Sequence, residues 1–470
     1  MTIKNLKQGS HVHLMGICGT AMASLAGLLK DRGFVVTGSD SNPYPPMSTQ
    51  IESLGIKIKK GYSAENLNPR PDFVIVGNVI SKNNPEAEAL LKLEIPYTSL
   101  PKAMGELIID DKICVCVSGT HGKTTTTSLM AWVSEVCGQR PGFMVGGIPK
   151  NFSQSFKNPK DKLFIIEGDE YDTAFFDKVP KFTHYRPTYA ILTSVEFDHA
   201  DIYRDLEHVK EAFRSLIQLV PPQGALIYHA EDKNIQSLLT DLKAPGLSYG
   251  IHQGDLRAHI TKTATDLTHF QVQFKNEDWG EYQIPLSGEY NVLNALSVIA
   301  VSHLLKFDQN SVKKAFLTFQ GVKRRQEVLG EPRGVLVIED FAHHPTAVKE
   351  TLKGIKAKYP NRKIWAVFEP RSATSRRKVF QKDYAQAFQL ADQTLIAEAF
   401  DQSKIQEADR FSSKELIQDI QNLGQQARVY EKVDQIVTDI SKEAKSGDLV
   451  LIMSNGGFDG IYQKLLGALV

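Results

Sequence analysis

Along residues 11–107, short apolar runs of strand length alternate with segments whose apolar residues recur at helical spacing. "HVHLMGI" and "FVVTGSD" are predicted strands on either side of a helix, "AMASLAGLLKDRG", that ends at Gly33. "FVIVGN" at 73–78 is a third strand, and "EAEALLKLEI" is helical. A second unit opens with the apolar run at 113–117. It continues through "LFIIEGDE" (163–170), "AILTSVE" (190–196), a helix near 206–219 and the strand "ALIYHA" (225–230). A charged, irregular β-like stretch follows near 255–285, and "NVLNALSVIAVSHLL" closes the unit as a helix. From about 326 a third unit begins. It comprises "VLVIEDF", a helix over 345–357, "IWAVFEP", a helix over 378–390, "QTLIAEA" and "DLVLIMS". The alternation predicts an α/β protein with open, mostly parallel sheets, and in such sheets ligands bind beyond the C-terminal strand ends.

The motifs fall at those ends. "SGTHGKTTTTSLM" (118–130) joins an apolar strand to a helix. Gly119 and Gly122 free the backbone to wrap an anion, Lys123 supplies positive charge, and the Thr124 hydroxyl suits a Mg²⁺ ligand. The loop is shorter than the usual nucleotide-loop pattern, which would have glycine where Val117 stands. Four threonines in a row are poor helix formers, so the hydroxyls are there for another reason. Two later strands end in acids: Glu167, Asp169, Glu170 and Asp172, then Glu196, Asp198, His199 and Asp201. Mg²⁺ takes oxygen ligands shared with phosphate, which favours Glu167, with His199 as a further ligand.

In the first unit Gly16 and Gly19 occupy the last two positions of a dinucleotide-type turn, with Leu14 at the first. Asp40 stands where an acid that holds a ribose belongs. In the third unit His343 and His344 lie near Asp340, but adjacent histidines chelate one ion poorly, so the pair is not assigned to metal. "FEPRSATSRRK" offers Arg371, Arg376, Arg377 and Lys378 as cations for carboxylates, or as a solvated helix start.

Composition narrows the function. With 55 basic and 54 acidic residues the net charge is +1, so no global field favours nucleic acid or an anionic membrane. No segment has the pattern of a secretory signal or a membrane span. Cys18, Cys114, Cys116 and Cys137 lack metal-type spacing and read as free thiols of a cytoplasmic protein. A dinucleotide-dependent oxidoreductase would leave Lys123 and the acidic strand ends without a role. A phosphate-loop switch would bind nucleotide without ligating anything.

The order "GICGTAM…GSD", "GTHGKTTTT", "EGDEYD", "EFDHAD", "NVLNA", "GVKRRQE" and "EDFAHHPT" resembles the Mur ligases of bacterial peptidoglycan synthesis over nearly the whole chain. The resemblance implies three domains. Residues 1–109 would be a Rossmann-like UDP-sugar domain, 110–325 a central ATP-binding phosphate-loop domain, and 326–470 a Rossmann-like domain that closes on ATP and binds the peptide. It also implies ATP and Mg²⁺ as cofactors, UDP-N-acetylmuramate and a murein peptide as substrates, and no obligatory protein partner.

By similarity, ATP is held by Gly119, Thr120, His121, Gly122, Lys123, Thr124, Thr125, Asn291, Asn294, Arg325 and Asp340. Thr124, Glu167 and His199 are the metal ligands, and Lys123, Glu167 and His199 carry the chemistry. On the reading of the residues themselves, Gly16, Gly19, Ser39 and Asp40 are expected to bind the nucleotide-sugar substrate and Arg371 a carboxylate of the peptide. "SNPYPPMST", "PGFMVGGIP", "EPRSAT" and "MSNGGFDGI" resemble the branch that adds a whole tripeptide, L-Ala-γ-D-Glu-meso-diaminopimelate, in peptidoglycan recycling. L-alanine alone, as in de novo synthesis, is the competing second substrate. Some relatives carry a carbamylated lysine where this chain has Phe213, with Lys210 one turn earlier.

Overall fold

A computed structural model describes residues 3–43 and 47–470; Tyr44, Pro45 and Pro46 of the "SNPYPPMST" stretch lie outside it. Three large sheets, with a separate two-stranded hairpin, organise the described chain. The first has five parallel strands, in the spatial order Ile58–Lys60, Val35–Asp40, His11–Met15, Phe73–Val76 and Tyr97–Ser99. The order reverses beside His11–Met15. The turn carrying Gly16 therefore opens into the crevice where open α/β sheets receive ligands.

The second sheet has ten strands. Its parallel centre places Ile113–Ser118 between Tyr189–Leu192 and Leu163–Gly168, so the phosphate loop and both acidic strand ends emerge side by side. The stretch near 255–285 is more regular than its composition suggests. Leu256–Thr263, Thr268–Phe274 and Glu277–Ile284 form an antiparallel meander at one edge, with Ala258, Phe270, Val272, Tyr282 and Ile284 turned inward and the charges outward. The third sheet has six strands, parallel except for Glu327–Gly330 at its edge.

The helix expected over 378–390 is shorter and broken. A 3₁₀ turn, Lys378–Phe380, precedes an α-helix at Gln381–Ala387. Arg377 is extended (φ −110°, ψ 153°) and bridges to Arg410, so the helix cannot begin earlier. All four cysteines are free thiols. No helix among the described residues is long and apolar enough to cross a membrane.

The first two sheets share one apolar core. Leu25, Ala26 and Leu29 of the helix Thr20–Asp31 belong to the same buried cluster as Phe156, Phe164, Ile166 and Phe213. Phe156 packs so closely on Gly27 that a Cβ there would stand 1.9 Å from its ring, so no other residue fits the helix at this point. The third sheet keeps its own cores on its two faces. It meets the second unit through polar contacts: Thr374 Oγ1 donates to Asp198 Oδ1 at 2.6 Å, and Thr346 Oγ1 donates to Glu196 Oε2 at 2.6 Å.

Candidate active site

The three units enclose a cavity of about 960 Å³. At its centre the strand Ile113–Ser118 turns into the helix Lys123–Val136. Both loop glycines are in the left-handed region (φ 127° and 81°), and each is also sterically required. A Cβ on Gly119 would meet Thr193 Oγ1 at 2.2 Å, and one on Gly122 would meet Asn294 Oδ1 at 2.6 Å. The loop is tied to the neighbouring strand end. Thr120 N donates to the Ser194 carbonyl at 2.9 Å, and Glu196 N donates to Thr120 Oγ1 at 2.8 Å.

Lys123 folds back inside this loop. Its Nζ donates to the Gly119 carbonyl at 2.6 Å and to Glu170 Oε2 at 3.1 Å. Burial disfavours the ammonium, but Glu170 and Asp169 outweigh it and hold its pKa above the ordinary lysine value. Asp169 in turn accepts from Lys181 Nζ at 2.9 Å. Burial works against the Asp169 charge, but Lys181 and Lys123 prevail and bring its pKa to about 2.

Glu167 has a different environment. Oε1 accepts from Gly146 N at 2.6 Å and Oε2 from Thr124 Oγ1 at 3.2 Å. Arg325 reaches Thr124 Oγ1 at 3.3 Å. Burial, then the charge of Asp169, raises the Glu167 pKa to about 7. A carboxyl so poorly compensated, beside a hydroxyl and facing a cavity, fits a divalent cation held through oxygen. His199 (φ 52°) lies nearer another acid: its Nε2 is 3.6 Å from Glu170 Oε1, and its ring lies against Tyr171.

The other sequence-derived residues divide by position. Thr120, His121, Gly122, Lys123, Thr124, Thr125, Glu167, His199, Asn291, Asn294, Arg325, Asp340 and Gly19 line the cavity. Asn291 and Asn294 are linked at 3.3 Å, and Asn291 is anchored on the Ser287 carbonyl. Asp340 is fixed by the amides of Gln326 and Ala342, each at 2.8 Å, and Arg325 lies 4.7 Å from the centre of the Phe341 ring.

Ser39 is fully buried, and its hydroxyl is engaged by Glu86 at 2.8 Å. Its carbonyl receives Gly16 N, while Asp40 receives the amides of Cys18 and Asn42. These groups shape the turn beneath Gly19. Arg371 sits behind Ser372, Ala373 and Thr374, which do line the cavity. It pairs with Glu369 at 3.2 Å and stacks on Phe400 at 3.7 Å. Phe213 is buried against Phe182, and Lys210 pairs with Glu207.

Sequence reasoning does not separate Glu170 from its neighbouring acids, and it passes over Lys181. The hairpin of Asp172–Ala174 and Asp177–Pro180 is what brings Lys181 back to the strand end, beside Asp169.

Family models match consecutive parts of the chain. A model of the Mur ligase family catalytic domain matches residues 11–112, one of the Mur ligase middle domain matches 117–302, and one of the Mur ligase glutamate ligase domain matches 324–456. The chain is 39% identical over 463 residues to the UDP-N-acetylmuramate–L-alanyl-γ-D-glutamyl-meso-2,6-diaminoheptandioate ligase of Escherichia coli, covering 97% of this chain and 98% of that one. The chain belongs to the Mur ligase family.

Other Mur ligases resemble it over similar lengths. The UDP-N-acetylmuramate–L-alanine ligase of Alkaliphilus metalliredigens is 32% identical, covering 98% of this chain and 97% of that protein. The crystal structure of a murein peptide ligase from Psychrobacter arcticus matches with a TM-score of 0.73 and 36% identity over 98% of this chain and 99% of that one. As a Mur ligase, the protein is an ATP-dependent ligase that forms amide bonds.

Proposed function

We infer that this Mur ligase joins L-Ala-γ-D-Glu-meso-diaminopimelate to the lactyl carboxylate of UDP-N-acetylmuramate, in peptidoglycan recycling. The observation that carries this reading is the 39% identity, end to end, with the Escherichia coli ligase whose name states those substrates, against 32% for the alanine ligase of Alkaliphilus metalliredigens. The two nucleotide substrates and the free thiols favour a cytoplasmic setting.

A free carboxylate is a poor acyl donor. In the inferred reaction the lactyl carboxylate attacks the γ-phosphate of ATP and expels ADP, giving an acyl phosphate. The amino group of the tripeptide then attacks the acyl carbon, loses a proton and expels phosphate. Both steps gather negative charge in a confined space, so fixed positive charge and positioning dominate.

Lys123, released from Glu170, answers the charge on the β- and γ-phosphates. Arg325 approaches from the joint into the third domain and adds a second cation beside Thr124. Asn294, bound to Asn291, presses against Gly122 and fixes the loop from behind. Thr124 and Glu167, with His199 at the neighbouring strand end, are the groups that would hold Mg²⁺. When bound, it would supply further neutralisation of phosphate charge. Gly19, at the mouth of the helix Thr20–Asp31, offers an N-terminal end for the diphosphate of the UDP-sugar.

The deciding experiment measures ADP release with UDP-N-acetylmuramate and either the tripeptide or L-alanine. Turnover with tripeptide at a kcat/KM well above that with L-alanine is expected. The reverse order would make the protein an alanine ligase.

A further inference from the structure

Three neighbouring strands of the third sheet, Leu336–Asp340, Leu449–Met453 and Ile364–Phe368, run towards the cavity. The chain just beyond their ends supplies His343, Asn455 and Ser372–Thr374, and all of these line it. Among the described residues, none of the third unit's lining side chains beyond Arg325 belongs to a lysine or an arginine. Arg371 lies behind the wall, paired with Glu369 and stacked on Phe400. His343 faces Asp198 Oδ2 at 3.7 Å, while His344 turns away towards Glu196, 3.6 Å distant. Ser372, Ala373, Thr374 and Asn455 therefore form a polar but uncharged wall.

This wall is fixed, and it stands beside His199. Thr374 Oγ1 donates to Asp198 Oδ1 at 2.6 Å and receives Ala200 N at 3.2 Å, on either side of that histidine. Ser375 N donates to Ser372 Oγ at 2.9 Å. Asn455 is pinned through both of its neighbours. Ser454 Oγ donates to Glu369 Oε2 at 2.5 Å and receives Gly456 N at 2.9 Å, and Arg324 donates to the Ser454 carbonyl at 3.0 Å. A Cβ on Gly456 would stand 2.1 Å from Arg371, so the loop rests directly on that side chain. The Asn455 amide itself is uncommitted: its Oδ1 is shielded from solvent and has no hydrogen-bond partner.

With ATP on the phosphate loop and the sugar nucleotide against the first unit, the side next to His199 is left for the amine. An amine attacking from there carries its α-carboxyl group towards the wall. In free L-alanine that group is a carboxylate, which needs a cation or several N–H donors to leave water. In the tripeptide it is a peptide bond, which is neutral and offers one acceptor and one donor. An asparagine amide matches both. We propose that Asn455, with Ser372–Thr374, receives the first peptide bond of the acceptor and so selects an alanine whose carboxyl is already an amide. The selection is partly repulsive, since a free carboxylate would be buried there without an opposite charge. It presupposes the tripeptide as acceptor.

The test compares L-alaninamide, L-alanine and the tripeptide as acceptors for the full-length enzyme with saturating ATP and UDP-N-acetylmuramate. Rates are expressed per unprotonated amine, because the amide also lowers the basicity of the amino group. In the native enzyme kcat/KM for L-alaninamide should exceed that for L-alanine by at least about tenfold. Asn455→Ala should shrink that ratio about 3- to 10-fold, as loss of one hydrogen bond does, with the KM for ATP unchanged. Asn455→Lys, which sets a cation on the wall, should move the ratio further towards L-alanine. A merely structural role for Asn455 would lower both acceptors alike and leave the ratio where it was. A native ratio of one or less, or a ratio untouched by Asn455→Ala, would overturn the assignment. If either result came with the tripeptide still preferred over L-alanine, the substrate would stand and only the wall's role would fall. L-Alanine preferred over the tripeptide would instead refute the substrate.

Discussion

Lys123 and Glu170 are bound to one another at 3.1 Å at the cavity wall, the acid almost fully buried behind it and the lysine curled over its own loop. The pair stores the phosphate-binding charge in a compensated form while no nucleotide is present. Lys123→Ala should lower kcat by at least ~10²-fold with the fold retained by circular dichroism, because a cation facing developing charge is lost. Glu170→Gln should be milder. In the double variant the two losses should fail to add, with a coupling of about 0.5–3 kcal/mol. Strict additivity of the two effects on kcat/KM for ATP would show that the contact has no bearing on turnover.

Glu167 gives the site a pH dependence of definite sign. Its pKa is raised from 4.5 to about 7, chiefly by burial, so the folded protein holds a proton there that the unfolded chain has already released. In the nucleotide-free protein its contribution to stability is present at pH 4.5 and below and is lost as pH rises through about 7. Thermal unfolding followed across that range should therefore show a downward component in the wild type that Glu167→Gln lacks. Metal binding runs the opposite way. Mg²⁺ needs the carboxylate, so the Mg²⁺ concentration for half-maximal rate should rise about tenfold per pH unit below 7 in the wild type. A Mg²⁺ requirement indifferent to pH would remove Glu167 from the metal site.

Thr374 is one of the third domain's holds on the second. It donates to Asp198 at 2.6 Å and receives Ala200 N at 3.2 Å. Thr374→Val keeps the shape and deletes both bonds, leaving a buried acid short of a donor at a cost of about 1–3 kcal/mol. Small-angle scattering should report a larger radius of gyration, and kcat should fall while the KM for UDP-N-acetylmuramate stays the same. An unchanged radius would mean that other contacts suffice to hold the domain.

How far the sequence reaches is best seen at neighbouring residues. Glu167 and Lys123 are legible because an apolar run ending in an acid, or in a glycine turn with lysine, sets a charge at the end of a buried strand, where a ligand is needed to answer it. Glu170 is not, since nothing in the run of acids that follows the strand says which of them meets Lys123; Lys181 is not, because only a hairpin returns it to the strand end. His343 and His344 read as one pair, yet the extended backbone at His344 (φ −92°, ψ 147°) sends the two rings to different acids. Gly27 carries no signal at all. A glycine inside an apolar helix looks like a weak position, and only the arrival of Phe156 from another domain accounts for it. The helix over 378–390 is shorter than its pattern predicts: the bridge from Arg377 to Arg410 fixes the residue before it, the first turn is 3₁₀, and the α-helix ends at Ala387.

Arg371 tests the peptide end of the site. Its guanidinium is held behind the cavity wall by Glu369 and Phe400 and adjoins the lining residues Ser372–Thr374. Because it adjoins the wall rather than facing the cavity, it would act by holding Ser372–Thr374 in place; we expect Arg371→Ala to raise the tripeptide KM about tenfold through a displaced wall and to leave the KM for ATP unchanged. A defect confined to ATP would assign the arginine elsewhere.

The fit of Phe156 over Gly27 bears on how such an enzyme can be taken apart. Because the first two units are sealed by one apolar core, a cut between them near residue 110 would expose a large greasy face on each fragment, and both should be insoluble alone. The third unit carries its own cores and meets the rest mainly through hydroxyls, carboxylates and imidazoles, with Phe197 against Phe380 and Gly288 against Gly354 beside them. Exchange of segments between related ligases should therefore be tolerated at the joint near 325, where a borrowed third unit needs only a few matching polar partners. A borrowed first unit would succeed only if it brought its own glycine to meet the phenylalanine.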